Sequence, residues 1–448
     1  MRVGFKDAYG TLSIKPIKER VMTSENHRTV LIVAIAIIIC IQPAFGSRAM
    51  QSSQSRIDDF IEYWAGGKLT IEGSNPYDPK EILRVERLID ASIPVTIMMW
   101  NPPWTMSLVM PFSLLDYRTA STLWLLIHML IVMASAGWLW HYYGGRTSTA
   151  PLVALAAPLF PPALIALGNG QITPLALGGL CTFLLMEKQK RYIPAGIVAS
   201  LTLIKPHLVY LAWGAIFLWS IHKRQWGIII GAVLGVAGLL TAPLILNPRI
   251  CQQYLAAMFN YPPDYYISPT LGTLARLVLG WQMWWPQFLP NVIGIVWLVW
   301  YWRSRRHEWN WKDHLPVILT VSVLTSAFGW LFDLVLFLIP IIQVSISLIR
   351  KRPPMFAIAA WSILLSASVL SLAIWLTCII LIQLPRVTQS AETALSSALS
   401  RPNQFWQIVV APLFLLGFIV AWRGNAGKDH APVGLMPSKT NDGNKAAP

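Results

Sequence analysis

Long apolar runs, separated by short polar or basic segments, fill most of the chain. A helix that crosses a bilayer needs about 20 apolar residues, and shorter helices cross where the bilayer is thin or the helix is broken. The pattern therefore predicts an all-α polytopic membrane protein, a bundle of about twelve transmembrane helices with both termini in the cytoplasm. The predicted spans are 30–46, 119–142, 150–167, 172–186, 193–204, 208–221, 227–245, 288–302, 315–329, 331–347, 355–382 and 405–422.

Composition and charge agree with this interpretation. The 448 residues are 55% hydrophobic and only 12% charged, whereas soluble domains carry roughly 25% charged residues. The net charge of +15 comes from short basic clusters between apolar runs, so no nucleic acid is expected as a partner. Basic clusters mark cytoplasmic loops, and the predicted inner loops together carry the whole +15. These loops are 1–29, 143–149, 187–192, 222–226, 303–314, 350–353 and 423–448.

This topology gives three regions. A basic cytoplasmic segment, 1–29, precedes a membrane domain over 30–422, and a polar tail, 423–448, is expected to be disordered. The membrane domain contains a large outer loop over 47–118. Within it, residues 95–115 are read as re-entrant or interfacial, because a crossing there would turn every later basic loop outward.

One pair of apolar segments, 193–204 and 208–221, could form a single helix or a hairpin. A single helix would hold Lys205 at mid-membrane, at a cost of roughly 2.5–3.5 kcal/mol. Pro206 breaks a helix because it cannot donate the helical hydrogen bond. The hairpin is therefore predicted, with Lys205 at the outer boundary.

Polar residues gather at the outer ends of the spans in this topology. The first outer loop also contains two amphipathic stretches, roughly 58–70 and 79–92, that are expected to form interfacial helices. Polar groups at a membrane boundary need partners, so their convergence predicts a site facing the outer leaflet. The residues concerned are Asp58, Asp59, Tyr77, Asn101, Gln171, Lys205, His207 and Asp333.

Several of these residues allow two interpretations. Asp59 and Tyr63 would share one helix face, and Asp59 is either a general base or, like Asp58, a helix cap. Lys205 either binds an anion or extends to the interface, and Asp333 belongs either to the site or to a structural pair. The cysteines form no Cys-x-x-Cys pair, and no metal site or cofactor is expected.

Five segments then occur in order. Asp59-Phe60-Ile61-Glu62-Tyr63 precedes Gly73-x-Asn75-Pro76-Tyr77-Asp78 and Asn101-Pro102-Pro103, and these are followed by Gly170-Gln171, by Gly196 through Lys205-Pro206, and by Ser326 through Asp333. Together they resemble glycosyltransferase family 87, bacterial membrane enzymes of GT-C architecture that use polyprenyl-phosphate mannose or related lipid-linked sugars. Thr173 stands where that family usually has Asn.

The resemblance implies an inverting transfer of a sugar, with mannose the first candidate and arabinose or glucose open. The donor would be a polyprenyl-phosphate sugar and the acceptor a glycan or a lipid, in a bacterial cytoplasmic membrane with the site facing the periplasm or exterior. It makes Asp59 the catalytic base, with Asp58 as the second candidate. Lys205 would bind the donor phosphate, assisted by His207 or Arg56, and the substrate contacts would be Tyr63, Tyr77, Asn101, Gln171 and Asp333.

Two other classes stay open at this point. Twelve short, broken helices with boundary charges also suit a transporter or a flippase of lipid-linked sugars. The long first outer loop favours an enzyme, because a lipid-tethered donor needs such a surface. A third possibility is an inactive scaffold of the cell envelope.

Overall fold

The computed structural model describes residues 59–262, 270–279 and 283–351. Over these residues the chain forms α-helices and 3-10 turns, without a strand. Several predictions lie outside the described residues: the spans 30–46, 355–382 and 405–422, the termini 1–29 and 423–448, and the site candidates Asp58 and Arg56.

Fifteen α-helices are numbered here in chain order over the described ranges. They are α1 (Phe60–Ile71), α2 (Pro79–Glu86), α3 (Met106–Ser113), α4 (Tyr117–Tyr143), α5 (Ala150–Ala156), α6 (Pro161–Gly168), α7 (Thr173–Lys188), α8 (Tyr192–Ala199), α9 (Tyr210–Lys223), α10 (Trp226–Leu246), α11 (Ile250–Asn260), α12 (Leu271–Leu279), α13 (Leu289–Arg305), α14 (Trp311–Leu324) and α15 (Leu338–Lys351). The 3-10 turns that matter for the site are Ser200–Ile204, Pro206–Leu208 and Leu331–Phe337.

Each predicted span from 119–142 to 331–347 overlaps a helical element of the structure, but 315–329 ends too late, because α14 stops at Leu324. Two helices, α4 with 27 residues and α10 with 21, are long and apolar enough to cross a membrane. A third candidate is the chain from Thr147 to Gly168, whose two parts are bent by 59°. These helices make the protein a plausible membrane protein, and the total of twelve crossings stays a prediction.

The hairpin predicted around Lys205 is confirmed by contacts between α8 and α9. Near the break, the Trp213 indole N–H donates to the Thr202 hydroxyl at 2.8 Å. Far from the break, the rings of Tyr192 and Trp219 lie 6.0 Å apart. Because the second pair encloses the first along the chain, α8 and α9 run in opposite directions.

The basic loops meet at one end of the helices, which we call the basic end. The Nζ atoms of Lys188 and Lys312 both lie 5.6 Å from the Tyr142 ring centroid. The ring of His222 lies 6.0 Å from that of His307. Helices α4, α7, α9 and α13 end here, and α8, α10 and α14 begin here. The predicted inner loops that the structure describes therefore share one end; we call the opposite end the site end.

The first outer loop departs from the prediction in one respect. Helix α1 is not an amphipathic surface helix, because ten of its twelve residues are buried. Its glycines explain the close packing: a Cβ on Gly66 would lie 2.8 Å from the Met99 sulfur, and one on Gly67 would lie 3.2 Å from the Met110 backbone. Helix α2 is amphipathic as predicted, with Ile82 and Val85 buried.

Residues 95–115 do not cross a membrane in the structure. Their one α-helix, α3, has eight residues and is therefore about 12 Å long, far short of a bilayer core. It packs on α1 and α10, where the Ser113 hydroxyl donates to the Trp64 carbonyl at 2.9 Å. The expected re-entrant or interfacial segment is thus a short helix packed within the protein.

Candidate active site

Asp59 precedes the first residue of α1, and its side chain does not cap that helix. Its backbone N–H donates to the Asn169 carbonyl at 2.8 Å, and its carboxylate accepts from the Gln171 Nε2 at 2.5 Å. The capping interpretation is therefore wrong for Asp59. Its carboxylate points away from its own helix, toward a residue 112 positions further along the chain.

Gln171 contacts three other polar residues of the site. Its Oε1 accepts from the Tyr63 hydroxyl at 3.2 Å and from the Lys205 Nζ at 2.9 Å, while its amide nitrogen faces Asp59. The opposite amide orientation would set NH₂ against the ammonium and oxygen against the carboxylate, so the neighbours fix the side chain. Tyr63 and Asp59 both contact Gln171, which confirms that they share one face of α1.

Lys205 and Asp333 form a buried ion pair, with the Nζ 2.8 Å from the Oδ1 and 7% and 0% of the residues exposed. The Asp333 Oδ1 also accepts from the Thr173 hydroxyl at 2.7 Å, and its Oδ2 accepts from the Trp330 N–H at 3.0 Å. The ammonium lies 4.5 Å from the Phe332 ring centroid. Lys205 therefore does not extend into solvent, and Asp333 is its structural partner.

The turn that carries Gln171 depends on Gly170. Its φ is +66°, a left-handed conformation that L side chains rarely adopt. A Cβ on Gly170 would lie 2.6 Å from the Phe60 Cβ, next to Asp59. The Gly170 carbonyl accepts from the Trp124 indole at 2.8 Å, which fixes the turn against α4.

Gly170→Ala is expected to destabilise the protein by about 2–4 kcal/mol, because it adds backbone strain and a clash with Phe60. The Asn169–Asp59 contact should be lost with it. The measurement is thermal unfolding of the purified protein. The control is Gly238→Ala in α10, where the added Cβ meets nothing within 4 Å; equal melting of the two variants would contradict the role of the turn.

The helix break before Pro206 leaves backbone carbonyls without helical hydrogen bonds, and side chains of the first outer loop donate to them. The Asn101 amide donates to the Ile204 carbonyl at 3.0 Å, and the Trp104 indole donates to the Leu203 carbonyl at 3.1 Å. The Tyr77 hydroxyl donates in turn to the Asn101 carbonyl at 2.9 Å. The structure thus places Asn101 and Tyr77 behind the break, one step from Lys205, and not in the network around Gln171.

His207 lies just after the break, beside the ion pair. Its ring meets the Phe328 ring edge-on at 6.4 Å between centroids. Its Nε2 is buried and has no hydrogen-bond partner among residues 59–262, 270–279 and 283–351. Buried polar atoms are nearly always paired, so this nitrogen is a candidate contact for a bound molecule that reaches the break.

Sequence reasoning missed some of the residues that build the site. Thr173 anchors Asp333, and Trp124 anchors the Gly170 turn. Glu62 is 8% exposed and follows Asp59 by one helical turn; burial, and then the charge of Asp59, raises its pKa well above the usual value. In the sequence, only the spacing of three residues from Asp59 indicated Glu62. No neighbouring residue indicated that Thr173 would contact Asp333.

Accessibility separates Asp59 from its neighbours. Gln171, Lys205 and Asp333 are buried, whereas Asp59 is half-buried. Burial raises the pKa of Asp59 above 3.8, while the Gln171 hydrogen bond and the charge of Lys205 act in the opposite direction. An accessible carboxylate with a raised pKa is a stronger base than a solvated one. The site can therefore accept a proton at Asp59 beside a fixed positive charge.

A half-buried carboxylate joined through an amide to a buried cation is an arrangement typical of an enzyme site, and it lies on a framework with two helices long and apolar enough to cross a membrane. The family model of glycosyltransferase family 87 matches residues 100–327, slightly more than half of the chain. The chain belongs to glycosyltransferase family 87, which confirms the suspected resemblance and makes it a glycosyltransferase. The comparisons with curated proteins and with solved structures find no match.

The match includes Gln171 and Lys205, but it begins after Asp59 and ends before Asp333. The placement of these two acids in the site rests on their contacts. Asp59 is joined to Gln171 and Asp333 to Lys205, so each acid outside the matched range is held by a residue inside it.

Proposed function

We propose that the protein is an inverting glycosyltransferase that moves a sugar from a polyprenyl-phosphate donor to an acceptor glycan or lipid. Mannose is the first candidate for the sugar. The observation that carries the proposal is the hydrogen-bonded chain from the half-buried Asp59 through Gln171 to Lys205. It sets a base at the nitrogen and a cation at the oxygen of the same amide.

The site is proposed to face the periplasm or the exterior of a bacterial cytoplasmic membrane. Basic loops stay in the cytoplasm under the positive-inside rule. The described basic loops meet at the basic end, and Asp59, Gln171 and Lys205 lie at the opposite end. Lipid-linked donors are bound at a membrane boundary, which suits a site at the ends of the helices.

Transfer in this scheme is a single displacement. Asp59 accepts the proton of the acceptor hydroxyl, whose oxygen forms a bond to the anomeric carbon of the donor sugar. The bond between that carbon and the phosphate oxygen breaks, and the polyprenyl phosphate leaves with the electron pair. The leaving group is already a phosphate, so no general acid is needed, in contrast to glycosidases that use two carboxylates. One displacement inverts the anomeric centre.

Positive charge must hold the departing phosphate. A lysine has three N–H donors, and two of those on Lys205 are taken by Gln171 and Asp333. The third is proposed to meet a phosphate oxygen, with the free Nε2 of His207 beside it. Arg56, outside the described residues, is kept as a further phosphate contact.

The remaining candidates are proposed to position these groups. Tyr63 and Gln171 orient Asp59, and Asp333 holds Lys205 in place. Tyr77 and Asn101 support the break on which Lys205 stands. These five residues are also the proposed direct contacts to the sugar or the acceptor.

The proposal is tested with the full-length protein in liposomes, supplied with radiolabelled polyprenyl-phosphate mannose and a membrane lipid extract as the acceptor source. Label is expected to move from the donor to an acceptor, in an amount proportional to the active protein. Movement of intact donor across the bilayer without transfer would indicate a flippase. Neither transfer nor movement, with arabinose and glucose donors tried as well, would indicate a scaffold.

A further inference from the structure

Two basic loops that are distant in sequence meet at the basic end, at the ends of α9 and α13. The ring of His222 lies 5.8 Å from the ring of Trp302 and 6.0 Å from the ring of His307. Six residues of these loops form what we call the cationic patch: His222, Lys223, Arg224, Arg305, Arg306 and His307, all exposed.

No cation of the patch forms an ion pair within the described part of the chain, although the exposed Glu308 follows His307. The ion pairs there involve Lys68, Arg84 and Lys205, and none involves a patch residue. The Arg306 Nε donates to the His307 Nε2 at 3.3 Å, so this imidazole nitrogen acts as an acceptor. The terminal guanidinium nitrogens of Arg306 stay available for an anion.

Exposed apolar side chains adjoin the cationic patch on the helices that carry it. On α9, Phe217 and Ile221 are 52% and 42% exposed. On α13, Val296 and Trp300 are 64% and 63% exposed, within about two and a half turns of Arg305. Helices α9 and α13 pack against each other, and on each helix the exposed apolar side chains come before the cations of the patch.

We propose that the cationic patch binds the phosphate group of an anionic phospholipid, whose acyl chains lie on the apolar surface of α9 and α13. Guanidinium and ammonium groups supply the charge-assisted hydrogen bonds that a phosphate accepts. A soluble anion would use the cations alone, whereas a lipid uses both the cations and the apolar surface. Basic pockets between helices on the cytoplasmic side are known to hold lipid headgroups. The site is separate from Asp59 and does not depend on the proposed reaction.

Binding is measured by native mass spectrometry of the full-length protein in neutral detergent, titrated with phosphatidylglycerol, phosphatidylcholine or inorganic phosphate. Phosphatidylglycerol is expected to bind at least about tenfold more tightly than phosphatidylcholine, because each Lys or Arg near an anionic headgroup strengthens its binding. Arg305→Gln with Arg306→Gln should weaken phosphatidylglycerol binding about 25-fold, at about fivefold for each charge. These side chains are exposed, and unchanged melting in the absence of lipid verifies folding.

Two control variants remove the same charge elsewhere. Lys80→Gln with Arg249→Gln removes two exposed cations at the site end, and Lys188→Gln with Lys190→Gln removes two exposed cations at the basic end but outside the patch. Both should bind phosphatidylglycerol like the unaltered protein. Equal loss in the second control would overturn the proposal in favour of diffuse attraction. Equal binding of both lipids, or competition by millimolar inorganic phosphate, would overturn it as well.

Discussion

Replacing Asp59 by Asn is expected to lower the turnover number for sugar transfer about 1,000-fold, within the range typical of a lost general base. The Asn side chain keeps an oxygen that can accept from the Gln171 Nε2, so the geometry of the site should survive. What is lost is basicity, because an amide does not accept the proton of an attacking hydroxyl. The measurement is the initial rate at saturating donor and acceptor, together with thermal unfolding.

The same prediction has a pH dependence. Asp59 is active when ionised, so transfer should fall as the pH is lowered through its pKa. Burial raises that pKa above 3.8, so the acidic limb of the profile should lie above this value and disappear in Asp59→Asn. The limb would be read from kcat/KM in the unaltered enzyme.

Two further carboxylates serve as controls for Asp59. Asp78→Asn changes the N-cap of α2 in the same outer loop, and transfer should stay within about threefold, since Asn caps a helix about as well as Asp and Asp78 has no part in the proposed chemistry. Asp58→Asn tests the second candidate for the base. Full transfer by Asp59→Asn together with no transfer by Asp58→Asn would move the role to Asp58.

Lys205→Met is expected to destabilise the protein by about 3–5 kcal/mol, because it leaves the buried Asp333 carboxylate without its cation. Asp333→Leu should cost a similar amount for the converse reason. The double variant replaces the pair by two apolar side chains and should recover most of the stability, since buried ion pairs contribute little net free energy. Transfer should stay low in Lys205→Met and in the double variant, because the donor phosphate loses its cation, and in Asp333→Leu, because Lys205 loses the partner that holds it in place.

This double-mutant cycle separates structure from function. Thermal unfolding reports the coupling between the two side chains, and donor affinity reports the role of Lys205. Additive losses of stability would show that the ion pair is not coupled in the protein. A stable double variant that transfers sugar with unchanged donor affinity would remove Lys205 from phosphate binding.

The lengths of the apolar runs in the sequence made much of the fold predictable. The run 119–142 became α4, Tyr117–Tyr143, because lipid sets the length of an apolar helix. The hairpin was predictable from Lys205 and Pro206, since a mid-membrane lysine is costly and proline breaks a helix. The meeting of basic loops at one end followed from charge alone.

The burial of α1 was not predictable in the same way. Its sequence carries Glu62 and Lys68 among apolar residues, a pattern that is typical of a helix lying on a surface. Burial of its other faces comes from α3, which Gly66 and Gly67 allow to approach. Such close packing depends on a partner segment that periodicity does not identify.

For the site, the sequence indicated which residues converge but not how they pair. Asp59, Gln171, Lys205 and Asp333 were all expected at one end. That Gln171 joins the base to the lysine, and that Thr173 anchors Asp333, depends on contacts over 112 and 160 positions. These pairings depend on how each helix is rotated about its own axis. The apolar pattern shows which face of a helix is buried, but it does not determine the rotation closely enough to pair individual side chains.

The central claim requires Asp59 and Lys205 to open toward the outside while the basic loops stay in the cytoplasm. The most direct measurement is labelling of single cysteines in intact cells with a membrane-impermeant thiol reagent, after replacement of the four native cysteines. Lys80→Cys, on exposed α2 at the site end, is expected to be labelled, and Arg224→Cys, at the basic end, to be labelled only after lysis. Labelling of Arg224→Cys and protection of Lys80→Cys in intact cells would contradict the account.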